Sequence, residues 1–230
     1  MIIADRFVFL HLHKSGGTFV NEFLLKFVPG ARQIGYHLPR KLAPPAAASL
    51  PALGFVRNPW SYYVSWYSFQ ARRREPNALF RILSDDGSLD FEHTVANMLD
   101  LGASGVLLDR IVAALPARYI NRGLNIPGYE LDAIRASGRG FYSFLYRHMY
   151  DGPGVMHIRR SDRLRRELPS MLVAVGQPVS AAMAAHLHDA ADSNTSDHVD
   201  YTSYYGAELR ALVGERDAEV IAQHGFRFGD

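Results

Sequence analysis

A short apolar strand, a glycine turn and an amphipathic helix, all within residues 6–25, constrain the fold of this chain more than any other feature. The apolar run at residues 7–10 lies between polar residues, which is typical of a strand buried on both faces. Gly16 and Gly17 permit a sharp turn and a close approach of the backbone to whatever lies above it. From Thr18 onward, apolar residues recur at helical spacing, at Phe19, Val20, Phe23, Leu24 and Phe27.

This strand–turn–helix segment predicts a phosphate-binding site. The first turn of a helix exposes unpaired N–H groups, and the helix dipole adds positive potential there. Lys14 lies at the edge of the turn, and Thr18 follows the glycines. The order differs from the Walker A pattern G-x-x-x-x-G-K-[ST], because here the lysine precedes the glycines. Glycines that serve packing alone are the alternative, and the flanking Lys14 and Thr18 favour phosphate.

Composition places the chain among globular proteins. Its 230 residues are 48% hydrophobic and 21% charged, which suits a single domain, residues 1–230, with a sizeable core. A net charge of only +2 gives no support for a nucleic-acid or membrane-surface partner. The absence of cysteine excludes disulfides and thiolate metal sites. The early first strand and the lack of a long apolar run predict no signal peptide and no membrane span, and hence a cytoplasmic location.

Strand and helix signals alternate along the chain. Besides residues 7–10, short runs predict strands at residues 32–36, 53–56 and 154–158. Asn58, a good N-cap, and Pro59 predict a helix that runs to about residue 74. Further helices are predicted at residues 90–99, 141–150, 162–175, 178–190 and 207–224. The alternation predicts an α/β fold with a parallel sheet flanked by helices on both faces, in which residues 75–152 are the variable part and residues 102–128 are irregular.

A second candidate anion site lies where the predicted strand at residues 53–56 ends. Arg57 ends that strand, and Ser65 follows about two turns into the next helix, on a face separate from its apolar stripe. Open α/β sheets bind ligands at the carboxyl edge of parallel strands. A guanidinium can grip phosphate with two hydrogen bonds, and a serine hydroxyl adds another donor. The alternative, equally compatible with these two residues alone, is an arginine paired with the helix start and a serine in solvent.

Together the two segments resemble the sulfotransferases that use 3′-phosphoadenosine 5′-phosphosulfate (PAPS). The matching features are HKSGGT at residues 13–18 and VRNP at residues 56–59, with a serine eight residues after the arginine. His37, followed by Leu38 and Pro39, is similar to the histidine segment after the second strand of the cytosolic branch. The C-terminal part is similar to that of bacterial members at residues 194–196, 204–205, 208–209 and 226–229. The resemblance thus covers roughly residues 6–70 and 154–229 and lies between the cytosolic and carbohydrate branches.

The resemblance implies a P-loop-like fold and a role for each residue of the first turn. Lys14 would bind the bridging oxygen of the leaving group. Ser15, Gly16, Gly17 and Thr18 would hold the 5′-phosphate with their N–H groups and hydroxyls. PAPS would be the co-substrate and 3′-phosphoadenosine 5′-phosphate (PAP) the product, and no metal ion is expected.

The resemblance also implies the residues around the rest of the nucleotide. Arg57 and Ser65 would bind the 3′-phosphate. Phe19 stands where many cytosolic members carry a tryptophan that stacks on adenine, and a phenyl ring can also stack in this way. The chain lacks the long basic, glycine-containing element that completes the 3′-phosphate site in cytosolic members. Three arginines either supply the positive charge of that missing element or simply lie at a solvent-exposed helix start: Arg159, Arg160 and Arg163.

In the same family a histidine removes the proton of the acceptor hydroxyl, and the matching residue here is His37. An unperturbed histidine titrates near neutral pH, which suits this task. His37 also lies in a predicted loop beyond a strand end, where functional residues are common. If another residue is the base, His13 and Glu22 are the next candidates.

The implied activity is in-line transfer of the sulfuryl group of PAPS to an acceptor hydroxyl, driven by positioning and charge stabilisation. The acceptor would be a small molecule or a glycan. Aromatic residues within residues 75–152 would either line its pocket or form plain core. Two alternatives differ in class. A P-loop nucleotide kinase or NTPase requires ligands for Mg²⁺, whereas a non-catalytic nucleotide-binding module requires no general base.

Overall fold

The computed structural model describes residues 1–189 and 200–230, which form two compact units. The first unit contains residues 1–57 and 147–189, and the second contains residues 58–146 and 200–230. The first unit holds the sheet, and the second is built of helices. The single domain indicated by the composition stays a prediction, because compact units of this size occur both within one domain and as separate domains.

The described residues form five β-strands and eleven α-helices. The strands are β1 Ile2–Ile3, β2 Val8–Leu10, β3 Arg32–Gln33, β4 Ala52–Val56 and β5 Met156–Arg160. The helices are α1 Gly17–Phe27, α2 Pro59–Ala71, α3 Ala78–Leu83, α4 Phe91–Leu99, α5 Gly105–Ala114, α6 Gly128–Asp132, α7 Phe141–Tyr150, α8 Leu164–Ala174, α9 Ala181–Asp189, α10 Ala207–Arg216 and α11 Ala218–His224. The chain is therefore α/β, as the alternating signals predict.

The five strands form one mixed sheet in the order β3-β1-β2-β4-β5. Strands β2, β4 and β5 are parallel, as predicted, whereas β1 is antiparallel to both β2 and β3. The sequence-based prediction of a wholly parallel sheet is therefore wrong for β1, which is antiparallel to both of its neighbours. The physical reason is the tight connection between β1 and β2, where Ala4 N–H donates to the Phe7 carbonyl at 3.0 Å. A turn this short can join only antiparallel strands.

One face of the sheet is covered by a hydrophobic core from α1, α8 and α9. Phe7, Phe9, Leu53 and Phe55 contribute from the strands and their connections. The helical members of this core are Val20, Phe23, Leu24, Leu164, Leu168, Met171, Leu172, Met183 and Leu187. Alternate residues of a strand point to opposite faces, so Gly54 lies on the other face.

The C-terminal end of α7 lies against that other face. A side chain at Gly54 would overlap the Tyr150 ring, so only glycine allows this approach. The Tyr150 hydroxyl donates to the Phe55 carbonyl at 2.9 Å. Helical residues therefore pack on both faces of the sheet.

In the second unit, helix α2 begins where the sequence predicts. Asn58 caps it, because its side-chain oxygen accepts from Trp60 N–H at 3.1 Å. The helix ends at Ala71, three residues before the expected end. Burial extends beyond the predicted apolar stripe and includes Tyr62, Ser65 and Trp66. The Tyr62 ring stacks on that of Tyr142 at a centroid distance of 4.0 Å.

Two sequence-based predictions in the second unit are corrected. The stretch at residues 102–128 contains helix α5, which is capped by the Ser104 side chain and buries Leu108 and Ile111. The predicted helix at residues 207–224 is interrupted at Asp217, where α10 ends and α11 begins. Asp217 is fully buried. Its carboxylate accepts from the Tyr63 hydroxyl at 2.7 Å and from Ser143 N–H at 2.8 Å, which fixes the break in place.

None of the helices in residues 1–189 and 200–230 combines the length and the apolar character that crossing a membrane requires.

Candidate active site

The loop between β2 and α1 adopts the turn that its glycines predict. Lys14 and Gly16 have positive φ angles of 59° and 78°. Gly16 stands just before the helix, and the first helical hydrogen bond runs from Val20 N–H to the Gly16 carbonyl at 3.4 Å. The N–H groups of residues 17–19 precede that bond, so the start of α1 offers donors to an anion.

The second glycine of the turn is required by a neighbouring ring. A Cβ at position 17 would overlap the carbon and nitrogen atoms of the His11 imidazole. His11 Nδ1 lies 3.3 Å from Asn21 Nδ2, an amide nitrogen that can only donate, so His11 carries its own hydrogen on Nε2. Burial lowers the pKa of His11 to about 3, with smaller contributions from His13 and the N-terminal amine. His11 is therefore a neutral packing element beneath the turn.

Arg57 reaches the same loop. Because β2 and β4 are parallel neighbours, with Leu10 opposite Gly54, their carboxyl ends meet at one edge of the sheet. Arg57 follows β4 and donates from Nη1 to the Lys14 carbonyl at 3.3 Å. Arg57 is thus brought against the loop that carries Lys14, within the first unit.

The remaining residues of the turn differ in exposure. Ser15 is buried, and its hydroxyl donates to the His13 carbonyl at 3.3 Å. Thr18 is exposed on the first turn of α1. The Ser15 hydroxyl therefore supports the loop, while its backbone N–H lies within the turn.

His37 lies at the same edge of the sheet. Two successive antiparallel pairings make β3 run in the same direction as β2, so the residues after β3 emerge beside the residues after β2. His37 Nδ1 is 2.6 Å from the His11 carbonyl oxygen. Its ring stacks on that of His13 at a centroid distance of 3.6 Å and an angle of 19°. The structure therefore brings the predicted base next to the turn.

The hydrogen bond to His11 decides the protonation of His37. A carbonyl can only accept, so Nδ1 carries the hydrogen and Nε2 carries the lone pair. The side chain is buried, and burial lowers its pKa well below the usual value; His13 and His11 lower it further, while the hydrogen bond opposes this. The sequence places this pKa near neutrality, and the structure moves it down. The neutral form of His37 is consequently favoured over the charged form more than in an exposed histidine.

Phe19 occupies a packed position on α1. Its ring stacks parallel to that of His186, with centroids 6.2 Å apart, and the Arg165 guanidinium lies 5.2 Å from its centroid. The side chain is half-buried. These contacts account for an aromatic residue here, and stacking on adenine stays a prediction.

Ser65 belongs to α2 of the second unit and is buried, with 2% of its surface exposed. The sequence places it on a polar face together with Ser61 and Ser68, both of which are half-buried. Its contact with a 3′-phosphate stays a prediction.

The arginines proposed to complete the 3′-phosphate site lie in ion pairs around the start of α8. Arg160 makes two hydrogen bonds to Asp162, at 3.1 and 3.0 Å. Arg163 is 3.8 Å from Asp162, and Arg159 is 3.7 Å from Glu167. The exposed side chains of Arg159 and Arg163 agree with the alternative of a solvated helix start, whereas that of Arg160 is only 17% exposed.

A buried arginine near His37 is a feature that sequence reasoning missed. Arg40 is 1% exposed, and its guanidinium donates to four carbonyl oxygens. The acceptors are Pro153 at 2.9 Å, Ala47 at 3.4 Å, Ala48 at 2.7 Å and Leu50 at 2.6 Å. Arg40 thus fixes the segment that carries His37. Nothing in its sequence neighbourhood marks it, because its acceptors are backbone carbonyls, which every residue carries.

The C-terminal pattern of the resemblance gathers around the start of α2 in the second unit. Asn58 Nδ2 donates to the Arg227 carbonyl at 2.8 Å. The Phe228 ring meets Trp60, Tyr201 and Tyr205 edge-to-face at centroid distances of 5.6 to 5.7 Å. Residues 194–196, the first part of that pattern, lie outside the described residues. Sequence alone does not reveal this pairing, since its partners are about 170 positions apart.

No known protein-family profile matches the chain, and no curated protein matches it.

Proposed function

We propose that this protein is a sulfotransferase that moves the sulfuryl group of PAPS to a hydroxyl of a small-molecule or glycan acceptor. The observation that carries the proposal is the position of a neutral His37 beside a glycine turn that carries Lys14 and that the Arg57 guanidinium contacts. The resemblance of residues 13–18 and 56–59 to sulfotransferases supports the choice of co-substrate.

The residues of the turn fit a nucleotide with phosphate groups. The start of α1 supplies N–H donors, and Lys14 and Arg57 add two positive charges. Gly17 itself is explained by packing against the His11 ring, so the support for phosphate comes from the N–H donors and the two cationic residues. PAPS supplies an activated sulfuryl group when bound. Lys14 stabilises the negative charge that develops on the leaving oxygen.

His37 accepts the proton of the acceptor hydroxyl at Nε2. Its Nδ1–H is held by the His11 carbonyl, and the His13 ring fixes its plane. This arrangement resembles the way in which a third group orients a base toward its substrate. The lowered pKa keeps the lone pair available below neutral pH, at the expense of basic strength.

The test is an incubation of the purified protein with labelled PAPS and a panel of phenols, sugars and extracted glycans. Sulfated products are identified by mass. We expect a sulfated product with the wild type, loss of transfer in Lys14→Ala, and no change in Arg72→Ala, an exposed arginine at the end of α2. Thermal shifts with PAP, AMP, ATP and ATP–Mg²⁺ accompany it, because a ligand at a hundred times its Kd stabilises a protein by about 3 kcal/mol.

The outcomes separate the three classes of function. Stabilisation by PAP without any sulfated product from the whole acceptor panel would indicate a non-catalytic nucleotide-binding module. Stabilisation by ATP that requires Mg²⁺ and exceeds that by PAP would indicate a kinase or NTPase. Either result contradicts the proposal.

A further inference from the structure

A groove in the second unit shares no residue with the phosphate-binding turn. It encloses about 570 Å³. Its lining residues are Trp60, Ala207, Arg210, Ala211, Gly214, Arg227 and Phe228. This volume falls within the range of about 300–1,000 Å³ that small-molecule sites occupy.

Two aromatic rings form the apolar part of the groove. Trp60 and Phe228 meet edge-to-face, with centroids 5.7 Å apart and planes at 82°. The Trp60 indole N–H donates to the Arg210 carbonyl at 3.0 Å, which leaves the indole no further donor. The Tyr205 hydroxyl donates to the Trp60 carbonyl at 2.7 Å and holds the start of α2 in place. The aromatic wall is thus rigid and offers only apolar surface.

Small residues keep the groove open along α10. Ala207, Ala211 and Gly214 recur at intervals of four and three, so they share one face of the helix. A Cβ at position 214 would lie 3.6 Å from Trp60 Cζ2, an ordinary contact. A larger side chain there would enter the groove.

Both ionisable residues that line the groove are arginines. The Arg210 guanidinium lies 4.5 Å from the centroid of the Phe228 ring. The backbone of Arg227 is held at both ends, since its N–H donates to Asp230 at 2.9 Å and its carbonyl accepts from Asn58 at 2.8 Å. A guanidinium binds sulfonate, sulfate or carboxylate with two parallel hydrogen bonds.

We propose that this groove binds a small aromatic anion, a planar ring that carries a sulfonate, sulfate or carboxylate group. The ring would pack on Trp60 and Phe228, and the anionic group would pair with Arg210 and Arg227. Apolar walls with a few charged groups of one sign are the usual composition of a site for such a ligand. This site is independent of the proposed transfer reaction, because none of its residues belongs to the loop after β2 or to the His37 segment.

The test compares two probes of the same shape and different charge. 4-Nitrobenzenesulfonate is an anion, and 4-nitrobenzenesulfonamide is neutral at pH 7. Affinities are measured by titration calorimetry. Location is measured by quenching of tryptophan fluorescence in Trp66→Phe, where Trp60 is the single remaining tryptophan of the two. We expect the sulfonate to bind at least ten times more tightly than the sulfonamide and to quench Trp60.

Variants locate the site. Arg210→Gln and Arg227→Gln should each weaken sulfonate binding by about tenfold, the usual loss for a hydrogen bond to a charged group. Gly214→Leu should abolish it by filling the groove, and leucine is a better helix former than glycine, so folding should not suffer. Arg72→Gln removes the same charge outside the groove and should leave the affinity unchanged.

Several results would overturn the proposal. They are equal affinities for the two probes, no binding at millimolar concentration, or a loss in Arg72→Gln as large as in Arg210→Gln. Lys14→Ala tests the other anion site of the molecule. If that variant, rather than Arg210→Gln, removes sulfonate binding, the probe occupies the phosphate-binding turn and the groove proposal fails, while the proposed transferase activity stands.

Discussion

The buried histidines of the first unit and the buried Asp217 of the second form two polar clusters that use their groups in different ways. In the first unit, His37 donates one hydrogen bond to the His11 carbonyl and retains a lone pair on its other nitrogen. In the second unit, Asp217 uses its two carboxylate oxygens to accept from Tyr63 and from the backbone of Ser143. The first cluster keeps an atom available for chemistry. The second commits both oxygens to holding helices α2, α7 and α10 together.

Burial shifts the pKa values of His11 and Asp217 in opposite directions, and the physical reason is the same. A charge is disfavoured away from water, so the pKa of His11 falls to about 3, whereas that of Asp217 rises to about 6. A lowered histidine pKa means that the unfolded chain binds more protons, so stability is lost as pH falls below about 6.5. A raised aspartate pKa has the opposite sign: stability is highest below about 4 and is lost as pH rises through about 6.

The largest expected effect tests whether the first cluster serves chemistry. His37→Gln should reduce sulfuryl transfer by about two to four orders of magnitude, the usual contribution of a general base. PAP binding should change little, because His37 is not assigned a contact with the nucleotide. Tyr63→Phe, which alters the second cluster, is the matched control and should retain activity per folded molecule.

The pH profile sharpens the same test. His37 must be neutral to act, so kcat/KM should fall only as pH drops through its lowered pKa, on the acidic side of the ordinary histidine value. This acidic limb should vanish in His37→Gln. A profile that keeps its limb in the variant would transfer the role of base to His13 or Glu22.

The next effect concerns the acid stability of the first unit. Acidification from pH 7.5 to 4.5 should remove about 3 kcal/mol from the contribution of His11 to the free energy of unfolding. His11→Gln, which has no titrating ring, should show less of this loss. Hydrogen exchange in peptides from α1 reports on this unit separately. An unchanged pH dependence in the variant would mean that His11 is protonated in the folded state.

The second unit should respond to acid with the opposite sign. Between pH 7.5 and 4.5, Asp217 should add about 2 kcal/mol to the free energy of unfolding, because protonation relieves the buried charge. Asp217→Asn should lose that gain, as measured by hydrogen exchange in peptides from α11. Equal pH slopes in the wild type and the variant would contradict the raised pKa.

The smallest expected effect is that of removing the Tyr63 hydroxyl while keeping its ring, which separates the hydrogen bond to Asp217 from the packing of the ring. Tyr63→Phe should destabilise the protein by about 1–2 kcal/mol, since Asp217 loses one donor and Tyr142 N–H loses its acceptor at 3.2 Å. It should also raise the pKa of Asp217 further, because that hydrogen bond lowers it. Tyr129→Phe, which removes the hydroxyl of an exposed tyrosine in the same unit, is the control for urea denaturation and should leave the stability unchanged. A pKa of Asp217 that stays the same in Tyr63→Phe would contradict the role of the hydroxyl.

Local signals predicted the parts of the fold that depend on neighbours in sequence. The β2–α1 turn and the Asn58 cap rest on residue types within a few positions, and both agree with the structure. One topological rule placed Arg57 at the carboxyl edge of the sheet, and its contact with the Lys14 carbonyl is a finding of the structure.

The features that sequence reasoning missed depend on burial against distant residues. Strand β1 has only two residues, too few for any period to show. Asp217 lies inside a continuous helical pattern, and only its partners on α2 and α7 explain the break. The lowered pKa of His37 likewise arises from burial and from the nearby His13 and His11. The ordinary pKa of an isolated histidine includes none of these effects. The assignment of His37 as the base itself stays a prediction.

The overlap that a side chain at Gly17 would make with the His11 ring couples positions 11 and 17 in evolution. In any diverged relative, we expect a residue larger than glycine at position 17 to occur only together with one smaller than histidine at position 11. The same exchange can be made in the laboratory. Gly17→Ala alone should fold poorly, and Gly17→Ala with His11→Ser should recover, whereas two independent positions would show additive losses. The steric overlap thus predicts that positions 11 and 17 change together, although they lie six positions apart.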